Sequence, residues 1–193
     1  MDIEYHPFEP FVPDHARVLF LGSFPPQRKR WCMEFFYPNW INDYWRILGL
    51  VFFGKKDHFV IPGEKRFDLP RIRDFCSGKG IALFDTAVAV RRLMDNASDK
   101  FLEVVEPTDI PALLSRMPAC GALVTTGQKA TDVVMERFGC VEPPVGQNTL
   151  IAFDDRELAF WRMPSTSRAY PLPLEKKAAS YRILFDSLGM LCP

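Results

Sequence analysis

The order of apolar segments along this chain predicts an α/β fold, a three-layer α/β/α sandwich on a central, mainly parallel four-stranded sheet. Three observations lead there. Short apolar runs at residues 17–21, 81–84, 122–126 and 158–163 have the length and continuity of strands buried on both faces. Segments with apolar residues at helical spacing lie between them, the arrangement that joins parallel neighbours by crossovers. Each run also ends in polar or glycine-bearing residues, as strands do where their carboxyl ends border a crevice.

Each element has its own justification. Proline and phenylalanine dominate the first dozen residues, which predicts an irregular arm over 1–16 before the strand at 17–21. A long loop follows from Gly22 to about Pro38 and carries the dense basic run Gln27-Arg28-Lys29-Arg30-Trp31. Residues 39–53 read as a helix because Trp40, Tyr44, Ile47, Leu48 and Val51 recur on one stripe. A second helix over 69–77 stops at Gly78 and Gly80, and a buried strand covers 81–84. Pro107 and Thr108 open a helix that reaches Met117. The strand at 122–126 leads to Gly127, which opens a helix to about Phe138. Residues 149–153 and 158–163 form a hairpin-type pair through Asp154-Asp155-Arg156, and 175–188 closes the chain as a helix. With no internal repeat, residues 1–193 form a single domain of ordinary size.

Composition narrows the function classes. Lys plus Arg and Asp plus Glu each number 24, so a global basic field is excluded while a local basic patch is not. Hydrophobic residues at 48% supply a full core. The five cysteines at 32, 76, 120, 140 and 192 contain no CxxC pair, which argues against zinc and iron–sulfur sites. Their odd number, and an acidic start where a signal peptide is basic, predict reduced thiols in a cytoplasmic protein. No apolar stretch approaches the roughly 20 residues that span a bilayer. No metal, organic cofactor or membrane partner is expected.

The chemistry-bearing residues cluster at the four strand ends: Gly22-Ser23-Phe24-Pro25-Pro26, Phe84-Asp85-Thr86, Thr125-Thr126-Gly127-Gln128-Lys129 and Met163-Pro164-Ser165-Thr166-Ser167-Arg168. With Tyr37-Pro38-Asn39-Trp40-Ile41-Asn42-Asp43-Tyr44-Trp45 between the first two, these five segments resemble, in order, the motifs of the uracil-DNA glycosylase superfamily. The first is similar to a Gly-x-Asn/Asp-Pro loop, the fourth to the Asn-Gly-x-x-Ala turn of the mismatch-specific branch, and the last to its second catalytic loop. Phe24 stands where most members carry a water-activating Asp or Asn, and Met163 where the most active uracil-specific branch has histidine. Gly22-Ser23-Phe24-Pro25 with Asn42 is most similar to the hypoxanthine-processing branch, which relies on the Asn of the following helix. The resemblance implies a monofunctional glycosylase that hydrolyses uracil or hypoxanthine from DNA in base-excision repair, acting on a lesion or mismatch as a monomer.

Such a reaction needs a pocket for an extruded base, grips on phosphate and a polar group near the sugar. Asn42, Asp85 and Ser23 are the candidate catalytic residues. Asn42 is placed to position water or the sugar, against a simpler role as a helix cap. Asp85 is the most discriminating, because an ionised carboxylate only accepts hydrogen bonds and repels a base carbonyl unless it is protonated. Phe24 and Pro25, with Asp43, Gly127 and Gln128, are the candidate substrate contacts, Phe24 by stacking on the base. Ser165, Thr166 and Ser167 offer hydroxyl and backbone donors to phosphate, Arg168 offers a wedge into the vacated stack, and Arg28 and Arg30 offer further phosphate contacts. Ordinary turn bonding and solvated charge are the plain alternatives for these loops. Lys176 and Lys177 read as solvating charges, and the three histidines receive no role. A weakly catalytic nucleic-acid-binding protein and an enzyme of free nucleosides remain the rivals.

Overall fold

The computed structural model describes residues 2–94 and 101–191. Cys192, counted above among the thiols, lies outside them. Its central sheet has five strands in the order β3-β2-β6-β8-β7: β2 (Val18–Gly22), β3 (Ile81–Asp85), β6 (Ala122–Thr125), β7 (Gln147–Phe153) and β8 (Arg156–Arg162). The four predicted strands are parallel neighbours. The sheet as a whole is mixed rather than mainly parallel and four-stranded, because β7 joins its edge antiparallel to β8. The hairpin turn is only Asp154-Asp155, with Asp154 in the left-handed region at φ 50°.

A second sheet corrects the expected irregular arm. Here β1 (Ile3–Tyr5), β4 (Ala87–Arg92) and β5 (Leu102–Pro107) pair antiparallel in the order β1-β4-β5. One residue, Thr86, separates β4 from β3, so this sheet is tied directly to the end of a central strand. Only residues 3–5 of the arm join this sheet, while Pro7, Pro10 and Pro13 lie in its irregular remainder.

Every residue of β2 and β3 is buried, so both faces of the central sheet are covered. On one face Phe20 lies against Tyr44 of α1 (Tyr44–Phe53) and Tyr181 and Phe185 of α5 (Leu174–Ser187), with ring centroids 5.5, 6.4 and 5.7 Å away. The other helices are α2 (Leu69–Lys79), α3 (Ile110–Ser115) and α4 (Gln128–Phe138). Among the described residues no helix is long and apolar enough to cross a membrane.

Helix starts differ from the sequence reading for local reasons. The segment 39–43 stays out of α1 because Asn39 Oδ1 accepts from Ile41 N and Asn42 Oδ1 from Tyr44 N, the side-chain turns that compete with helix. Pro107 completes β5, and α3 begins three residues later, where the Asp109 carboxylate accepts from Ala112 N. At the end of α2, Gly80 has φ 71°, and a Cβ there would stand 2.4 Å from the His15 carbonyl oxygen.

Phe20→Ala is expected to cost about 3–5 kcal/mol, the range for removing a buried aromatic ring. Urea unfolding should show a lower midpoint at an unchanged slope.

Candidate active site

Strand register builds the site. Gly22 pairs with Asp85 across β2 and β3, and Leu21 with Thr125 across β2 and β6, so the carboxyl ends of neighbouring strands finish level. They open into a cavity of about 630 Å³. Ser23, Phe24 and Pro25 line it after β2, Asp85 at the end of β3, Thr126 and Gly127 after β6, and Ser165 to Arg168 after β8. Asn42 and Arg30 also reach it, as do Tyr37 and Arg92, to which the sequence reading gave no role. Among the described residues no group of three His, Cys, Asp or Glu side chains could hold a metal ion.

Asp85 occupies a tight position. A Cβ on Gly22 would stand 2.3 Å from Asp85 Oδ1, so only glycine lets the carboxylate cross the end of β2. The other oxygen, Oδ2, lies 2.9 Å from Nε2 of His6, whose side chain is 2% exposed. Spacing alone gave His6 no role because the bond spans 79 residues and rests on the unexpected strand β1. Glu4, on the same arm, takes Nε and Nη2 of Arg92 in a two-point pair at 3.0 and 3.1 Å, and Arg92 Nη2 also donates to the Pro25 carbonyl. The arm therefore braces two walls of the cavity.

Phe24 is buried and contributes to a small cluster with Ala87, Val90 and Leu102, its ring 5.4 Å from that of His6, edge to face. Most of its surface is thus committed to the second sheet, leaving a limited face toward the cavity. Tyr37 is a more open aromatic wall. Its ring stacks on Tyr44 at 3.8 Å, its hydroxyl meets Thr126 Oγ1 at 3.0 Å, and its backbone is held at φ 51°, a conformation rare outside glycine and asparagine.

The opposite wall hangs on Asp43, which is buried behind the cavity rather than lining it. Its backbone N–H donates to Thr166 O at 2.9 Å, its Oδ1 accepts from Arg168 and its Oδ2 from Lys177 Nζ at 3.1 Å. Lys177 also donates to Ser167 O at 2.8 Å and is 1% exposed, which overturns its reading as a solvating charge. Sequence missed it because a lysine beside an exposed lysine at a helix start looks identical to its neighbour. Arg168 leans on Asp43 with half its side chain exposed. Arg46 crosses beneath, donating to Trp40 O and Asn42 O with its guanidinium 4.3 Å from the Trp40 ring centroid. Burial, and then the charge of Arg168, pull its pKa below the ordinary arginine value.

Besides Asp43, two more predicted contacts lie outside the lining. Gln128 donates to Asp132 and Glu142 and accepts from Arg162, outside the cavity lining. Arg28 pairs with Glu34 at the surface, also outside the lining. Asn42 faces the cavity, with Oδ1 engaged by Tyr44 N and no hydrogen bond to its amide nitrogen among the described residues.

No protein-family profile matches this chain, and no curated protein does. Among solved structures, the chain is similar to the solution NMR structure of a protein from Methanosarcina acetivorans proposed to be a uracil DNA glycosylase. The two are 19% identical with a TM-score of 0.66, over 97% of this chain and 99% of that one. The likeness is one of fold, shared almost end to end.

Gly22→Ala should destabilise the protein by roughly 1–3 kcal/mol, the usual cost of overfilling a packed site. Lys177→Met leaves a buried carboxylate with Arg168 alone and should cost about 3 kcal/mol, while Lys176→Met should stay within about 0.5 kcal/mol. Equal urea midpoints for the two lysine variants would refute the anchoring role.

Proposed function

We propose that this protein is a monofunctional DNA glycosylase that hydrolyses the N-glycosidic bond of a deaminated base, uracil or hypoxanthine, and leaves an abasic site. In this reading it acts in base-excision repair as a cytoplasmic monomer, without metal or organic cofactor. The observation that carries the proposal is the pairing, across one cavity, of a carboxylate suited to a base edge with a hydroxyl-rich loop suited to phosphate. The fold shared with the archaeal protein adds support.

The C1′–N bond breaks with its electron pair leaving on the base, the sugar becomes oxocarbenium-like, water adds at C1′ as hydroxyl, and the proton it loses ends on the departing base. Asp85 meets the base edge. Asn42 uses its amide nitrogen to orient the sugar or water, with Ser23 of the first loop lining the same cavity. Tyr37 and the open face of Phe24 flank the base. Ser165, Thr166 and Ser167 hold phosphates, as does Arg30, which also lines the cavity. Arg168 leaves Asp43 to enter the vacated stack, and Asp43 keeps Lys177 as its partner, so that the loop stays anchored. The ammonium group of Lys177 is buried and doubly bonded, which supports hydrolysis without a lysine nucleophile.

Duplex and single-stranded oligonucleotides carrying uracil, hypoxanthine, xanthine or a thymine mismatch, incubated with excess protein and then hot alkali, test the proposal. Strand breaks at uracil or hypoxanthine are expected, and none at any base would overturn it. Asn42→Ala should slow release about 100-fold, at the low end for loss of a positioned polar group. Arg168→Ala should slow duplex processing far more than single-stranded. Equal effects on both would remove the wedge role, and activity confined to free nucleosides would favour an N-glycosidase of small substrates.

A further inference from the structure

The strand β1 alternates as strands do: Tyr5 is 68% exposed, while Glu4 and the next alternate residue, His6, point inward to Arg92 and Asp85. Around the His6 ring, Nδ1 has the Phe8 N–H at 3.1 Å and the Phe8 carbonyl at 2.9 Å. A neutral ring that accepts from Phe8 N carries its proton on Nε2. An imidazolium that donates to Phe8 O carries one there too. Both forms direct an N–H at Asp85 Oδ2, and the rings of Phe24 and Phe84, 5.4 and 4.7 Å away, pin the imidazole in that orientation. Among the described residues Oδ1 forms no hydrogen bond, and it belongs to a residue that lines the cavity.

We propose that the amino-terminal arm is a wall of the base pocket and that His6 is a specificity-positioning residue, occupying one oxygen of Asp85 so that the other meets the base as a lone acceptor. The pocket then selects a base edge that offers a ring N–H and rejects one that offers a bare ring nitrogen. The inference rests on the glycosylase reading of the cavity. It has a consequence that burial alone does not. In Asp85→Asn, His6 claims the amide oxygen, which turns the NH2 group to the cavity and replaces an acceptor by a donor. Without His6 the amide is free to turn either way.

Single-turnover rates on duplexes containing hypoxanthine, with N1–H, or unsubstituted purine, with bare N1, read this directly. His6→Leu should lower the hypoxanthine rate about 10- to 100-fold, the effect of losing one hydrogen bond to a charged group. His6→Gln, which returns an N–H near the place of Nε2, should recover most of that loss. Tyr5→Ala, on the same arm but facing solvent, should change neither rate. Asp85→Asn should move the purine-to-hypoxanthine ratio toward purine by about 10-fold, and the shift should vanish in His6→Leu/Asp85→Asn. A wild-type rate and ratio in His6→Leu, or the same shift with and without His6, would overturn the proposal. Imidazole 15N spectra give a readout apart from activity: a protonated Nε2 whose shift moves in Asp85→Leu supports the pair, and a bare or unmoved Nε2 refutes it. If the wild type releases neither of these bases nor uracil, the glycosylase reading falls, and the imidazole spectrum alone decides the His6–Asp85 pair.

Discussion

A carboxylate buried at the end of a parallel strand needs a hydrogen-bond donor, and the site is organised around how Asp85 obtains one. Register places it opposite Gly22, and the missing Cβ lets its carboxyl group cross the end of β2. His6 then supplies the donor from the far end of the chain. Once these contacts are fixed, other features follow. Strand β1 must pair with β4 to deliver His6, β4 must leave β3 after a single residue, and Phe24 must turn toward the second sheet, where the imidazole lies against it. An unpartnered carboxylate in this position would carry a desolvation cost of several kcal/mol.

Asp43 solves the same problem differently. Its two oxygens take two cations, one buried on α5 and one half-exposed on the loop after β8. The pair joins α1, α5 and that loop into one assembly, and Asp43 N to Thr166 O continues the join through the backbone. One wall of the cavity is thus fixed by the His6 imidazole contact and the other by a charge cluster. The charge cluster includes a partner, Arg168, that can leave without stripping the carboxylate of all compensation. Under the proposed function, such asymmetry suits a rigid wall that reads the base and a wall toward the duplex that must rearrange.

Much of this architecture was legible in sequence where the signal was local. The four parallel strands carry continuous apolar runs, and their polar ends converge on one cavity. The chain shares the fold of the archaeal structure almost end to end. Most of what failed was non-local, the helix start at Asn39 excepted. Three residues of β1 in a proline-rich arm give no periodicity to read, and pairing with β4 creates the strand. The predicted helix from Asn39 overlooked the fact that Asn39 and Asn42 bond their own backbones. Gln128 carries a plausible motif, yet Asp132, Glu142 and Arg162 hold it away from the cavity. Lys177 and Lys176 are adjacent and identical in type, and only the three-dimensional position of Asp43 separates a buried anchor from a solvated charge.

Under the proposed function, the cavity at these strand ends holds a single base drawn from DNA, read by Asp85 on one side and gripped through its phosphates on the other. A structure of the protein bound to a duplex containing a 2′-fluorinated, non-hydrolysable deoxynucleoside of hypoxanthine or uracil tests it most directly. The base is expected inside the cavity with its ring N–H on Asp85 Oδ1, His6 still on Oδ2, and the backbones of Ser165 to Ser167 against the flanking phosphates. A base left stacked in the duplex, or DNA seated on any other face of the protein, would contradict it.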